Sequence, residues 1–326
     1  MKLFISVFIL ATLGLGGLVE AKDTALVCGD STSAKTVSMV SPYSPPNLCE
    51  YTISAKSKSI CQMRIDFSIS MAQPVFPSSK NDLKIPECTE ESLTINDFIF
   101  CGAETDQHIY VPINTKAGID SVKISFDIAQ RKGTSKLPPL SWNVKVTQVE
   151  CPSGVRFIRN SDPEPRLFSS KDASLLAPAG CDQYYPDDSG TIKSFNFNDG
   201  KGIYPLNMEY VMCFGRAIDT TGLQITAESF NVGQDKDRFP IYTQTDIHCY
   251  PQLVTEERVE DYLMIPQAIV EENSVRATYF CGQSINGLNV LSENPGPIFM
   301  VFKSGSVYRN SSKALGFSLK YQMMYA

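Results

Sequence analysis

Histidine is scarce in this chain of 326 residues: His108 and His248 are the only two, far apart in sequence. Nucleophilic hydrolysis needs a base beside its nucleophile, usually histidine. His108 lies in Gln-His-Ile-Tyr beside an expected strand, and His248 directly precedes Cys249. Both read as structural or surface histidines, and a hydrolase would require one of them in a cleft beside Ser, Asp or Glu. No G-x-S-x-G or H-E-x-x-H occurs, and Gly14 to Gly17 is no phosphate loop because it falls in an N-terminal leader. No two cysteines are spaced C-x-x-C, so the usual zinc frameworks are excluded. Basic charge is also short. A net charge of −6 without a basic block argues against nucleic acid and anionic membrane as partners. Glu256-Glu257-Arg258-Val259-Glu260-Asp261 is the nearest thing to a charge run and reads as a solvated loop or strand entry. Beyond the leader no apolar run is long enough to span a membrane, and few segments carry the three-to-four spacing of a helix.

Period-two alternation is plentiful instead. In Ile60-Cys-Gln-Met-Arg-Ile-Asp-Phe-Ser-Ile69, the side chains of Cys61, Met63, Ile65, Phe67 and Ile69 fall on one face of a strand and polar residues on the other. Tyr51 and Ile53 alternate likewise just before it. Further short runs cover 109–111, 122–126, 142–146, 298–302 and 317–321, punctuated by a chain-wide supply of 20 Gly and 20 Pro. The pattern is that of an all-β chain folded as antiparallel sandwiches.

Lys2, the apolar stretch Leu3 to Leu15 and Val19-Glu20-Ala21 read as a signal peptide over residues 1–21, cleaved before Lys22. The ten cysteines (Cys28, Cys49, Cys61, Cys88, Cys101, Cys151, Cys181, Cys213, Cys249 and Cys281) all follow that point. An even number in a secreted chain reads as disulfides. Asn310-Ser311-Ser312 is the one glycosylation sequon and predicts an exposed Asn310.

The chain also repeats itself. Cys101-Gly102 has a counterpart in Cys281-Gly282, Val122 to Phe126 in Ile298 to Phe302, and Leu140-Ser-Trp-Asn-Val-Lys-Val in Leu315-Gly-Phe-Ser-Leu-Lys-Tyr. Upstream, Cys49 and Gln62 to Phe67 echo Cys213 and Gln224 to Phe230. Two copies of one module are expected, over 22–150 and 179–326, joined by a proline-rich linker over 151–178.

These stretches resemble the CUB domain, in tandem and most like its secreted arthropod form. Ser41-Pro-Tyr-Ser-Pro-Pro-Asn-Leu-Cys-Glu-Tyr-Thr-Ile53 resembles the opening strand of the family, and Ala177-Pro-Ala-Gly-Cys181, Gly190 to Asn196 and Asp261-Tyr-Leu-Met-Ile265 fit the second copy. The resemblance implies two jelly-roll-like sandwiches that bind extracellular proteins or carbohydrates without chemistry of their own. It implies the bridges Cys88–Cys101 and Cys249–Cys281. The other six cysteines stay open: Cys28–Cys49, Cys181–Cys213 and Cys61–Cys151 is one set, and Cys49–Cys61 with Cys151–Cys181, leaving Cys28 and Cys213, is the other. Some members of the family bind calcium in the loops at one end. By position the candidates here are Glu91 in the first copy and Asp246 and Asp261 in the second, although solvated loop carboxylates are the simpler reading. Tyr184-Tyr185 before Pro186 is the candidate aromatic binding surface, against packing over the sandwich mouth. The function expected is therefore a secreted, non-enzymatic binding protein acting through its loops. The alternative is a structural matrix component whose modules pack as a rigid unit, which a large interface between the modules would favour.

Overall fold

The computed structural model describes residues 24–75, 83–84, 86–131, 136–151, 172–233, 245–246, 249, 261–305, 308–309 and 315–326. The expected signal peptide, His248 and Asn310 lie outside these residues, as does most of the expected linker. The fold is all-β, and its only helical pieces among the described residues are 3-10 turns at Thr115–Ala117, Ala173–Leu175 and Asn198–Gly200.

The first half carries strands β1 (Thr24–Leu26), β2 (Ser31–Thr32), β3 (Thr36–Val40), β4 (Leu48–Ser54), β5 (Ile60–Ser70), β6 (Leu83–Lys84), β7 (Ser92–Ile95), β8 (Phe98–Phe100), β9 (Ala103–Pro112), β10 (Ser121–Asp127) and β11 (Ser141–Glu150). All but β6 form two five-stranded sheets, ordered β1-β3-β11-β5-β9 and β2-β4-β10-β7-β8. The alternating strand β5 buries Met63, Ile65, Phe67 and Ile69 as its period demands. Tyr51, Ile53, Ile124, Phe126 and Trp142 are buried with them, with Phe126 stacked on Trp142 at 4.3 Å.

The second half carries β12 (Gln183–Tyr185), β13 (Ser189–Lys193), β14 (Glu209–Phe214), β15 (Thr220–Asn231), β16 (Tyr262–Val270), β17 (Val275–Phe280), β18 (Asn289–Ser292), β19 (Phe299–Lys303), β20 (Tyr308–Arg309) and β21 (Gly316–Tyr325). Strand β16 belongs to both layers: Tyr262 to Met264 pair with β19, and Ala268 to Val270 pair with β18. The crossing falls at Pro266, which has no amide to donate, and Gln267, held at φ 50°. On either side of that corner the strands run β12-β14-β19-β16-β17 and β16-β18-β15-β21-β13. The first of these repeats β2-β4-β10-β7-β8 strand for strand, parallel opening pair included. The second repeats β9-β5-β11-β3. The internal repeat read from short sequence echoes is thus a repeat of topology.

Five disulfides close the structure: Cys28–Cys49, Cys61–Cys151, Cys88–Cys101, Cys181–Cys213 and Cys249–Cys281. The first of the two open sets is the one adopted. Cys49 and Cys61 do not pair: β4 and β5 belong to different sheets, and Cys49 is bonded to Cys28. Cys61 instead meets Cys151, just past the end of β11, its neighbour in the sheet.

The Asp172 carboxylate accepts from the Glu150 amide at 3.1 Å and from Lys35, which places Asp172 against the first sandwich. From there the chain runs along that sandwich. Gln62 and Ala177 exchange hydrogen bonds of 2.8 and 3.1 Å, and the Tyr110 hydroxyl donates to the Leu175 carbonyl at 2.9 Å. Strands β6 and β20, one from each half, also pair with each other.

Candidate functional site

Among the described residues, a group of buried polar side chains (Glu104, Gln107, His108, Gln183 and Asn196) lies where the two sandwiches meet. Strand β9 is the edge of one sheet and β12 the edge of another. Bare strand edges invite pairing with foreign chains, and here each edge covers the other. In β9 the residues from Gln107 to Val111 are all buried, so both faces of this edge strand are covered. Ile109 and Val111 face the core of their own sandwich. His108 and Tyr110 face out, onto β12.

One direct backbone bond crosses the seam, from the Tyr110 amide to the Asp182 carbonyl at 2.7 Å. The remaining backbone groups are served by side chains. Gln183, fully buried, donates to the His108 carbonyl at 3.0 Å and to Gln107 Oε1 at 3.1 Å. Gln107 in turn donates to the Lys193 carbonyl at 3.1 Å. His108 Nε2 accepts from the Tyr184 amide at 3.0 Å. Burial and the nearby Arg64 guanidinium push His108 down to about 3. The imidazole is therefore neutral at ordinary pH, with Nε2 as the acceptor.

A second group of contacts surrounds Asn196, which is fully buried and sits at φ 53°, a conformation that asparagine tolerates. Its side chain accepts from the Ala103 amide at 3.0 Å and donates to Gln73 and to the Ile203 carbonyl. Its own amide donates to Glu104 Oε1 at 2.8 Å. Burial raises the Glu104 carboxyl well above the ordinary range despite that bond. The backbones must come close here: a Cβ on Gly102 would lie 2.2 Å from Asn196 Oδ1. Next door, Phe195 crosses the seam to stack on Phe67 at 6.2 Å and to meet Phe100 edge-on at 4.8 Å. These rings join the two sandwich cores into one cluster.

The structure corrects the placement of the aromatic candidates. Tyr184 and Tyr185 do not stand in an exposed loop; they form β12 and line the seam. The Tyr185 ring lies 5.0 Å from His108 and 5.7 Å from Phe214, and its hydroxyl donates to Gln183 at 3.2 Å. Tyr184 meets Tyr110 edge-on at 6.4 Å. The fully exposed large side chains are elsewhere, Tyr43 between β3 and β4 and Ile218 between β14 and β15.

The three candidate calcium carboxylates are each engaged by protein donors, and they do not converge. Glu91, 1% exposed, accepts from the Ala72 amide at 2.8 Å and from Arg131 through Nε at 2.8 Å and Nη2 at 2.6 Å. Asp246 Oδ1 accepts from the Thr278 and Tyr279 amides at 2.7 and 3.0 Å. Asp261, 2% exposed, accepts from the Tyr204 hydroxyl and the Gly305 amide. Burial raises it to about 6 against the pull of those two bonds. Glu91 precedes β7 as Asp261 precedes β16, so topologically equivalent carboxylates are satisfied differently, one by a guanidinium and one by neutral donors. Among the described residues no three His, Cys, Asp or Glu side chains cluster as metal ligands do.

Sequence reasoning did not find Glu104, Gln107, Gln183, Asn196 or Arg131. One signal was legible for the seam: in Gln107-His-Ile-Tyr-Val111 apolar or aromatic side chains fall on both faces, which a half-exposed edge strand has no reason to carry.

What these features define is an all-β, disulfide-closed protein of sandwich architecture. Residues 178–324 match the animal CUB domain, a module commonly found in extracellular protein interaction. With five disulfides this points to an extracellular protein, and no helix among the described residues is long and apolar enough to cross a membrane. Solved structures similar to the chain include the CUB1-EGF-CUB2 domains of rat MASP-1, at 14% identity and a TM-score of 0.27, covering 90% of this chain and 99% of that one. The corresponding human MASP-1/3 fragment has 13% identity and a TM-score of 0.28, covering 89% and 100%. The exported protein XepA of PBSX has 7% identity and a TM-score of 0.19, covering 84% and 81%. Likeness at that level identifies neither partner nor activity. No curated protein matches the sequence.

Proposed function

We infer that the protein is secreted and non-enzymatic, that both halves are CUB-type sandwiches of the arthropod kind, and that it holds an extracellular protein or carbohydrate on its inter-strand loops. The observation carrying this reading is the strand order of the first half, which recurs in the stretch that matches the animal CUB domain. Loops at the ends of such sandwiches are positioned by rigid strands and are free to vary, as a binding surface requires. Catalysis has little to work with: His108 is spent on a backbone hydrogen bond inside the seam. Immobilised protein should retain a partner saturably from extracellular fluid and release it unaltered. Tyr43→Ser and Ile218→Ser, at fully exposed positions, should weaken retention while leaving the fold intact. A captured partner that emerges cleaved or modified would refute the reading. Retention with and without a chelator decides whether calcium takes part.

The tight seam favours a second reading, a structural matrix component built from a rigid two-module block. That reading requires self-assembly, so sedimentation of the purified protein over rising concentration distinguishes the two.

A further inference from the structure

We propose that the seam between the two sandwiches is an acid-sensitive latch, in which protonation of His108 releases strands β9 and β12 from each other. The argument begins with a proton that has no place in the closed structure. Nε2 of His108 is the acceptor for the Tyr184 amide at 3.0 Å, so adding a proton there sets donor against donor and breaks the bond. The charge created would also be buried, because His108 is 5% exposed.

The surroundings do not offset that charge. From β5 come Arg64, a cation, and Asp66, the cross-strand partner of His108, whose carboxylate is already bound by Arg64 at 2.8 Å. From β12 come Tyr184 and Tyr185, with Asp182 just before them turned to the Val211 amide at 2.8 Å. Strand β9 itself adds Tyr110, Asp106, whose carboxylate accepts from the Ser68 hydroxyl at 3.5 Å, and Glu104, which accepts from the Asn196 amide. Tyr321 of β21 lies behind Tyr185. The charge that acts on the imidazole is that of Arg64, which is positive, and the carboxylates close by have other donors. Once the seam parts, His108 meets water and takes a proton as an ordinary histidine does.

The sign follows. The closed state holds His108 down to about 3, while in the open state the imidazole titrates near its ordinary 6.5. Closure is therefore fully favoured above about 6.5 and loses ground as pH falls toward 3. Well below 6.5 one proton taken up on opening raises the opening constant about tenfold per pH unit; because the open state is already half protonated at 6.5, the rise between pH 6.5 and 5 is about 16-fold. The device does not depend on what the loops bind.

Amide hydrogen exchange on the full secreted protein, corrected for the intrinsic effect of pH on exchange, reads that constant even when the open form is rare. Segments 108–112 and 182–186 should lose about 16-fold in protection between pH 6.5 and 5 relative to β15. His108→Gln, which can still accept a hydrogen bond but cannot be charged, should abolish the difference. Equal pH slopes in the seam and in β15, or an unchanged slope in the glutamine variant, would overturn the proposal. Should that variant not fold, Arg64→Gln provides the second arm. Without the neighbouring cation His108 protonates more easily in the closed state, so the fall in protection should level off at a higher pH, and an unaltered profile overturns the latch.

Discussion

Arg131→Met would leave Glu91 as a buried carboxylate without its cation. The wild-type geometry fixes what is lost. The guanidinium holds both carboxylate oxygens, at 2.8 and 2.6 Å, and its remaining nitrogen donates to the Pro138 carbonyl, while the Glu91 side chain is fully enclosed. Removing one partner of a buried pair costs about 3–5 kcal/mol, because the other charge stays desolvated. The Ala72 amide still donates to Glu91, which places the expected loss toward the lower end of that range. The reverse substitution, Glu91→Gln, is milder. The neutral amide still accepts from Ala72, and the Arg131 side chain, 23% exposed, can reach water. A cost of about 1–2 kcal/mol is expected there. The double variant Glu91→Gln/Arg131→Met should recover most of the stability lost in Arg131→Met, since no charge remains buried. Urea unfolding followed by circular dichroism measures all four proteins. If Arg131→Met costs under about 1 kcal/mol, or the double variant is less stable than Arg131→Met, then the pair is not the closed, desolvated unit its geometry describes.

Phe195→Ala removes the ring that bridges the two cores, and should cost about 3–5 kcal/mol. Calorimetry should then resolve separate transitions for the two halves where the parent shows one. Replacing Cys61 and Cys151 by serine opens a bridge of sequence separation 90. The chain-entropy estimate for that length is about 4–5 kcal/mol, to be read from the denaturant midpoint under non-reducing conditions. Asp261, raised from 3.8 to about 6, binds its proton more tightly in the folded chain. Its ionisation should therefore erode stability by about 2 kcal/mol as pH rises from 4 to 6, and Asp261→Asn should flatten that part of the profile. Because the three loop carboxylates already have protein donors, a chelator should leave the melting temperature of the purified protein unchanged, as scanning calorimetry can check.

Local pattern determined much of this protein. Period two along Ile60 to Ile69, and along the shorter runs like it, specified strands and the faces they bury, because alternation is a property of neighbours in sequence. The even set of cysteines without metal spacing specified covalent closure. The order of Cys-Gly, apolar strand and aromatic strand exposed the repeat, since two copies of one topology need the same cues in the same sequence. Tertiary structure decided the rest. Which sulfurs meet depends on which layer each strand joins: Cys61 finds Cys151 because β5 and β11 are neighbours in a sheet, and no count along the chain contains that. Tyr184 and Tyr185 read as an exposed pair because their covering strand, β9, lies some seventy residues earlier. Glu104, Gln107, His108, Gln183 and Asn196 follow no period, because polar side chains that satisfy backbone groups on another sandwich are placed by that partner and not by their own neighbours.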